Sequence, residues 1–515
     1  MNFLYAKTPN LPRSAAGTFN PWVIVAMIAL APFMEVLDTT IANVSLTHIS
    51  GTLGVGTDQS TWILTSYLVS NSIILPITGW LQAVVGRKRL FLICIGLFTA
   101  SSVVCAFSTS LTMLIVARIM QGLGGGGLQP VTLSMYADSF PQEKRAQVFA
   151  LYGVVIIVAP ATGPILGGWI TDHLSWHWVF LINLPIGLIA LTLIAIFIDE
   201  PPVLIAERRA KLGSGLNFDY VGLALVAVGF GGLQIFLDRF SLDDGFDSFF
   251  IRTLFVIWSV CLATLVLWEW DHPEPVVNVR LFRYRNFSVS CLIMFVIGFV
   301  LLSTTQLLPQ LTQTLLGYSA ETSGFALALG GVATIGLMPI AGIITGKLVS
   351  PRLLLIGGLL ETGVGLILQS EIAPDVSFWT ISIDRMLQVV ALPFLFIPIS
   401  ALSYIGLPAA RNADASAIIN QVRNIGGSIG ISFVTTMLAW RTQFHHARLA
   451  EQISPYRSLH GQSLYQIAEA VQHQAQFMSY LDLFHILGVA LLLIWPVILL
   501  LGAKPKAAEG AVYET

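Results

Sequence analysis

Charged residues are scarce in this 515-residue chain. Only 10% of its residues are Asp, Glu, Lys or Arg, whereas an ordinary soluble domain carries about 25%. A soluble chain of this length needs a polar surface that this composition does not supply. The scarcity excludes a water-soluble enzyme, a disordered protein and a nucleic-acid-binding protein.

Cysteine and nucleotide-binding motifs are also scarce. The four cysteines (Cys94, Cys105, Cys261 and Cys291) lie in apolar runs without the spacing of metal ligands, so we expect neither disulfides nor a metal site. No Gly-x-x-x-x-Gly-Lys-Ser/Thr phosphate loop is present, and no Ser-His-Asp or Cys-His arrangement stands out. We therefore expect neither ATP hydrolysis nor an enzymatic function.

Hydrophobic residues, by contrast, make up 55% of the chain, and the mean hydropathy is +0.79. A bilayer-spanning helix needs about 20 mostly apolar residues, and by that rule the sequence predicts an all-α integral membrane protein with about fourteen spans. The predicted spans are residues 22–46, 61–84, 90–107, 112–136, 146–170, 177–198, 220–237, 251–270, 287–311, 322–345, 353–369, 376–402, 413–440 and 481–501.

The basic residues indicate the orientation, because Lys and Arg are enriched in cytoplasmic loops. One set of alternate segments holds most of the 26 Lys and Arg residues. Its members are Lys7, Arg13, Arg87, Lys88, Arg89, Lys144, Arg145, Arg208, Arg209, Lys211, Arg280, Arg283, Arg285, Lys347, Arg352, Arg411, Lys504 and Lys506. The other set holds only Arg239, Arg252, Arg441, Arg448 and Arg457. Both termini, residues 1–20 and 503–515, are therefore predicted to be cytoplasmic.

An internal repeat indicates a duplicated chain. The sequence Pro-Ile-Thr-Gly at residues 76–79 resembles Pro-Ile-Ala-Gly at 339–342, and each is followed by a short basic loop. Likewise, Arg-Ile-Met-Gln at 118–121 recurs as Arg-Met-Leu-Gln at 385–388 with nearly the same offset. Duplicated halves are a recurrent plan of transporters, although chance similarity between apolar sequences is the alternative.

The repeat predicts two six-helix bundles, at residues 21–200 and 287–502, with two inserted helices within residues 201–286. The second bundle includes a long polar segment, 441–480, on the side opposite the basic loops. Its apolar residues have roughly helical spacing. We interpret it as an amphipathic helix that packs on the outer mouth or contacts a partner, or as one without a partner.

Ionisable residues inside the spans are the functional candidates, since a charge in the bilayer core costs at least about 2.5–3.5 kcal/mol. Glu35 and Asp38 share one face of the first span. Two carboxylates this close and removed from water resist being ionised together, so one can bind and release a proton near neutral pH. We expect Asp38 to pair with Arg118 of the fourth span and to alternate between this ion pair and its protonated form. An ion pair that serves only packing is the alternative.

Four other intramembrane charges have two open interpretations, a structural ion pair or a substrate contact. They are Glu361, Asp384, Arg385 and Arg423. Asp384 and Arg385 are adjacent, so on a helix they point about 100° apart and need not pair with each other.

Polar anchors for a substrate are expected in an otherwise apolar pocket. The candidates are Tyr67, Asn71 and Gln129 in the first half and Gln306, Gln310 and Gln388 in the second.

Glycine clusters predict close and deformable helix contacts, as two halves that rock past each other require. The positions are Gly122 in the fourth span and Gly163, Pro164, Gly167 and Gly168 in the fifth, where the proline also removes a backbone donor. Static tight packing is the alternative.

Several motifs together resemble a known family. They are residues 37–44 (Leu-Asp-Thr-Thr-Ile-Ala-Asn-Val), Arg118 with Gln121 and Gly122, residues 163–168 (Gly-Pro-Ile-Leu-Gly-Gly), residues 176–187 and residues 423–430. From about residue 22 to 501, the chain resembles the major facilitator superfamily and, within it, the fourteen-span drug:proton antiporters of the EmrB type.

The resemblance implies the major facilitator fold and proton-driven export of hydrophobic or amphipathic compounds across a bacterial inner membrane. The proton gradient would be the energy source, and no cofactor is implied. It also implies a periplasmic adaptor protein and an outer-membrane channel as partners, with segment 441–480 resembling the corresponding loop of this family.

One loop departs from the family pattern. Gly79 and the basic part, Gly86-Arg87-Lys88, are present, and the resemblance implies that they take part in the conformational change. The acidic residue that usually follows the glycine by four positions is replaced by Ala83. Another group must therefore supply the charge that holds one conformation closed, or that conformation is weaker.

Two further functions remain open on the sequence. The same fold could export an endogenous metabolite such as a siderophore or a fatty acid. A membrane sensor or scaffold that transports nothing is the third possibility, but it has no need of buried charges such as Asp38 and Arg118.

Overall fold

The computed structural model describes residues 21–140, 142–200, 202–213, 219–345, 348–408, 411–453 and 463–502. The predicted tails, 1–20 and 503–515, lie outside these ranges. Apart from one isolated bridge between Thr345 and Val349, the described chain forms helices and no strand. This confirms the all-α prediction, and helices suit a membrane because they satisfy every backbone polar group internally.

Ten helices precede the inserted region. They are α1 (Pro21–Val44), α2 (Leu46–Leu53), α3 (Thr57–Ser60), α4 (Trp62–Val85), α5 (Arg87–Ala106), α6 (Leu111–Gly125), α7 (Leu128–Ser139), α8 (Gln142–His173), α9 (His177–Leu181) and α10 (Asn183–Phe197). Eight of them build the first six spanning segments, and the short α2 and α3 connect the first segment to the second. The fourth predicted span is divided into α6 and α7 at Gly126 and Gly127, and the sixth into α9 and α10 at Ile182. The hydropathy pattern did not indicate either division.

The inserted region contains α11 (Pro202–Gly213), α12 (Tyr220–Arg239) and α13 (Phe249–Asp271). The first of these, α11, lies between the predicted sixth and seventh spans, where the sequence predicts no spanning helix.

Seven helices follow. They are α14 (Arg285–Thr314), α15 (Ala320–Ile344), α16 (Pro351–Gln369), α17 (Phe378–Val389), α18 (Leu392–Ser403), α19 (Asn412–Glu451) and α20 (Leu464–Ile494), and a 3₁₀ turn, Trp495–Leu500, completes the last segment.

Thirteen segments within the described ranges are long and apolar enough to cross a membrane. The predicted thirteenth span, residues 413–440, is not among them, although it lies within α19. Its polar residues lower its hydropathy, yet Asn420, Gln421 and Arg423 are buried against neighbouring helices. A spanning helix surrounded by protein does not need a wholly apolar surface, so a hydropathy threshold alone does not identify it as a span.

Segment 441–480 differs from the prediction. Instead of a separate surface helix, α19 continues to Glu451 and α20 begins at Leu464, so the two spanning helices extend beyond the predicted boundaries and pack against each other. Asp482 of α20 joins them by accepting from His445 at 2.5 Å and pairing with Arg441. Residues 454–462 of this segment lie outside the described ranges.

Two seams join the halves. In one, α8 packs against α15 and α18, and in the other α19 packs against α4 and α7. The inserted helix α12 lies beside the second seam, where it contacts both α4 and α19. We call the end of the molecule that carries Arg87, Lys88 and Arg411 the basic face, and the other end, where α1 and α14 finish, the opposite face.

Candidate functional site

Asp38 and Arg118 form a sealed ion pair inside the first half. Arg118 Nη1 lies 2.6 Å from Asp38 Oδ2, and both side chains are 0% exposed. Asp38 Oδ1 accepts from Gln121 Nε2 at 2.9 Å and from Asn183 Nδ2 at 2.6 Å. The first, fourth and sixth spanning segments therefore converge on one carboxylate, which accepts three hydrogen bonds.

The environment of Arg118 is equally closed. Its Nε donates to the carbonyl of Ile63 at 3.2 Å, and its guanidinium lies 4.4 Å from the ring centre of Tyr67 and 5.6 Å from that of Phe180. Removal of the negative charge of Asp38 would leave this buried cation without its counter-charge, which is costly.

Glu35, one helical turn before Asp38, belongs to a different network. Its Oε2 accepts from Gln129 Nε2 at 2.5 Å, and its Oε1 accepts from Tyr67 and Asn71 at 3.2 and 3.3 Å. Gln129 Oε1 in turn accepts from Arg423 of the second half at 2.5 Å. Glu35 thus connects the two halves through one amide.

Tyr67 connects the two acidic groups. Its hydroxyl donates to Glu35, while its ring lies against the guanidinium that pairs with Asp38. A change in the protonation of either carboxylate therefore acts on a side chain that contacts the other network.

A cavity of about 210 Å³ lies between the halves. The polar residues that line it are Glu35, Thr39, Tyr67, Asn71, Gln129, Gln234, Thr305, Arg385, Arg423, Asn424 and Ser428. Asp38 and Arg118 are not part of the lining, so Glu35 is the carboxylate that faces the cavity.

Contacts between the halves close the basic face. Asn412 Nδ2 donates to Asp138 Oδ1 at 2.8 Å, and Ser416 Oγ donates to the carbonyl of Pro130 at 3.0 Å. The rings of Phe149 and Tyr404 stack with centres 5.6 Å apart. The cavity is therefore separated from the basic face.

The predicted loop of Gly79, Gly86, Arg87 and Lys88 belongs to this closure. A side chain on Gly79 would meet Asp414 in the first turn of α19, its Cβ lying 2.8 Å from the Cα of Asp414. Gly86 has a φ of +95°, and it packs against Arg208 and Glu200.

Carboxylates reach this loop from other helices. Arg87 forms an ion pair with Asp138, its backbone N–H donates to Glu200 at 2.6 Å, and Lys88 pairs with Asp199 at 3.3 Å. Ala83 itself is exposed. Asp138 contacts both the basic loop, through Arg87, and the second half, through Asn412. It lies in the region where the family pattern has an acidic residue and this chain has Ala83.

The predicted polar anchors divide into two groups. Tyr67, Asn71 and Gln129 line the cavity, and all three donate hydrogen bonds to Glu35. The lining includes none of the three glutamines of the second half. Gln306 is half-buried and Gln310 is exposed, and Gln388 is buried, where it accepts from Arg385 at 2.8 Å.

The four lone charges also separate. Arg385 and Arg423 line the cavity, whereas Glu361 and Asp384 do not. Within the described chain, Glu361 Oε2 is buried without a hydrogen-bond partner.

The predicted glycines lie at close contacts, with one exception. Gly122 packs on the backbone of Tyr67, Gly163 on Thr40 and Gly167 on Ile41, whereas a Cβ on Gly168 would have nothing within 4 Å. Pro164 lies in the same helix, α8.

Gln234 of α12 is a cavity residue that is not among the candidates predicted from the sequence. Its Oε1 accepts from Ser72 of α4 at 3.4 Å and from Ser428 of α19 at 3.1 Å, and its Nε2 is buried without a partner among the described residues. A lone glutamine in an apolar span was the available signal, but nothing in the sequence placed the inserted helix beside the cavity.

Comparisons with known proteins agree with this architecture. Residues 28–431 match the Major Facilitator Superfamily. The chain is 36% identical over 460 residues to the multidrug export protein EmrB of Haemophilus influenzae, and the aligned region covers 89% of this chain and 88% of that protein. It is 33% identical over 508 residues to the fatty acid resistance protein FarB of Neisseria gonorrhoeae, covering 96% and 98%. The structure of the proton:xylose symporter XylE is similar with a TM-score of 0.58 and 16% identity over 92% of this chain and 96% of that one, which concerns the fold alone.

Proposed function

Because the chain belongs to the Major Facilitator Superfamily, among relatives that include EmrB, we propose that it exports hydrophobic or amphipathic compounds in exchange for protons. The observation that carries this proposal is the ion pair of Asp38 and Arg118, whose side chains are fully buried and whose Oδ2 and Nη1 atoms lie 2.6 Å apart. A proton-sensitive charge in the interior of a multi-pass membrane protein is costly, and proton coupling accounts for that cost.

The orientation follows from the positive-inside rule. We infer that the basic face and both termini are cytoplasmic and that the membrane is a bacterial inner membrane. With the basic face closed, the cavity belongs to an outward-facing form, from which a substrate leaves and which a proton enters.

The proton has a short route in this form. Glu35 faces the cavity and receives it first, and Asp38 lies one helical turn further along α1 on the same side. A proton on Asp38 weakens the bond to Arg118 and so loosens the three segments that meet at this carboxylate. Loss of that proton to the cytoplasm restores the ion pair and favours the outward-facing form again.

Proton movement in inverted membrane vesicles, followed with a pH-sensitive dye, tests this mechanism. Addition of an amphipathic compound should collapse the gradient with the wild type and not with Asp38→Asn. Asp384→Asn, which removes an intramembrane carboxylate outside the cavity, is the matched control and should behave as the wild type. Proton-linked export retained in Asp38→Asn would overturn the role of Asp38, and equal loss in both variants would indicate a general defect.

Export of an endogenous fatty acid is a second candidate, which the similarity to FarB favours. A deletion strain separates the two functions. Sensitivity to toxic compounds with unchanged fatty-acid secretion supports drug export, and the reverse result supports metabolite export.

We also propose that a periplasmic adaptor protein and an outer-membrane channel complete the export route. The extended ends of α19 and α20, joined by Asp482, are the surface available for an adaptor on the opposite face. Loss of adaptor co-purification when residues 444–452 are exchanged for a short linker would support this assignment, and unchanged co-purification would contradict it.

A further inference from the structure

The internal repeat places a second version of the Asp38 site in the other half. Arg385 and Gln388 follow Arg118 and Gln121 by 267 residues, and the two arginines contact their glutamines in the same way. Arg118 Nη1 lies 2.7 Å from Gln121 Oε1, and Arg385 Nη1 lies 2.8 Å from Gln388 Oε1. The two sites are therefore related in geometry as well as in sequence.

The carboxylate is missing from the second version. The same offset added to Asp38 leads to Thr305, beside Thr304. Arg385 donates to these two hydroxyls, from Nη1 to Thr304 at 3.1 Å and from Nη2 to Thr305 at 3.3 Å. Its hydrogen-bond partners are thus hydroxyls and an amide, and no carboxylate of the described chain pairs with it.

The two arginines also differ in their access to the cavity. Arg118 is 0% exposed and sealed behind Tyr67, whereas Arg385 lines the cavity. Arg423 lines it too, and its guanidinium contacts the amide oxygens of Gln129 and Asn424. A buried guanidinium without a carboxylate is costly, so such a group is a ready partner for an anion that comes from outside the chain.

From this broken symmetry we propose that Arg385 binds the carboxylate, or a similar anionic head group, of an amphipathic substrate. The substrate's anion takes the place that Asp38 occupies in the first half. Apolar side chains of the same cavity receive its hydrocarbon part: Leu301, Leu302, Leu327, Val389 and Leu392. Arg423 adds a second positive charge. The inference rests on the proposed export function, because it names the chemical class that the same cavity selects.

Binding of two ligands with the same tail tests the proposal. Radiolabelled dodecanoate and dodecyltrimethylammonium differ in the sign of the head group, and their binding to the full chain in nanodiscs is measured with empty nanodiscs as background. We expect the wild type to bind dodecanoate about tenfold more tightly or better. Arg385→Gln should abolish this preference by weakening dodecanoate binding, and Arg385→Lys should keep most of it. Arg252→Gln, a change at an exposed arginine of α13, is the matched control and should keep all of it.

Several results would overturn the assignment. They are a wild type without a preference for the anion, an unchanged preference in Arg385→Gln, and an equal loss of both ligands in that variant. If Arg385→Gln does not fold, a wild type without a preference for the anion still overturns the assignment, and so does loss of the preference in Arg385→Lys. Failure of the proposed function is a separate result. Preferential anion binding without proton movement would contradict antiport but support this site. Proton movement driven only by the cation would support antiport but contradict this site.

Discussion

Replacement of Gly79 by alanine should open the basic face. The added Cβ would lie 2.7 Å from Oδ1 and 2.8 Å from Cα of Asp414, and since ordinary contact begins at 3.4 Å, the first turn of α19 must retreat by about 0.6 Å. The second atom belongs to the backbone, so no side-chain rotation relieves the overlap. Overpacking of this kind costs about 1–3 kcal/mol, which corresponds to a shift of about 5- to 150-fold against the closed basic face.

Spin-label distances across the basic face measure that shift. Labels at Arg89→Cys and Arg411→Cys, both exposed and one in each half, should report a longer distance for the open form. Gly168→Ala is the control, because its Cβ would have nothing within 4 Å. Both changes replace a helical glycine, so the gain in helix propensity is the same in each. A Gly79→Ala distribution that matches both the wild type and Gly168→Ala would refute the reasoning.

Three other substitutions have defined outcomes. Asp138→Asn removes the ion pair with Arg87 but keeps an oxygen that can accept from the second half, so the spin-label distance should shift in the same direction as for Gly79→Ala but less. Tyr67→Phe keeps the ring over Arg118 but loses the hydrogen bond to Glu35, worth about 0.5–1.5 kcal/mol, and the long one of 3.5 Å from Asn71. Proton-linked transport in vesicles should then fall by about tenfold, whereas Tyr67→Leu should lose much more; equal effects would contradict the ring contact. Gln234→Leu removes an unpaired donor from the cavity wall and should raise the KM for substrates with hydrogen-bond acceptors severalfold, with no change for those without, as measured by export rates at varied concentration.

Part of the site could be predicted because charge in a membrane has few explanations. Arg118 lies in the middle of an apolar span and needs a partner, and the carboxylate on α1 that the sequence favoured is the one that it contacts. The same argument selected Arg385 and Arg423, both of which line the cavity.

The rest depends on which way each helix faces, and neighbouring helices decide that. Gln306 and Gln388 were chosen as polar residues in apolar spans, yet the rotation of α14 and α17 turns them away from the cavity lining. The contact between Asp138 and Asn412 joins residues far apart in the chain, one in each half. The divisions at Gly126 and Ile182 fall inside apolar runs, where hydropathy carries no information about helix continuity.

Threonine in place of a carboxylate beside Arg385 has an electrical consequence. If a monoanion bound at that arginine moves outward while a proton moves inward, the two movements add electrically. Each exchange is then equivalent to two positive charges that move inward. One elementary charge that crosses 100 mV contributes about 2.3 kcal/mol, so two contribute about 4.6 kcal/mol. Membrane voltage would then drive export even where the pH is equal on both sides, whereas a neutral substrate would draw on only half of that voltage-derived energy.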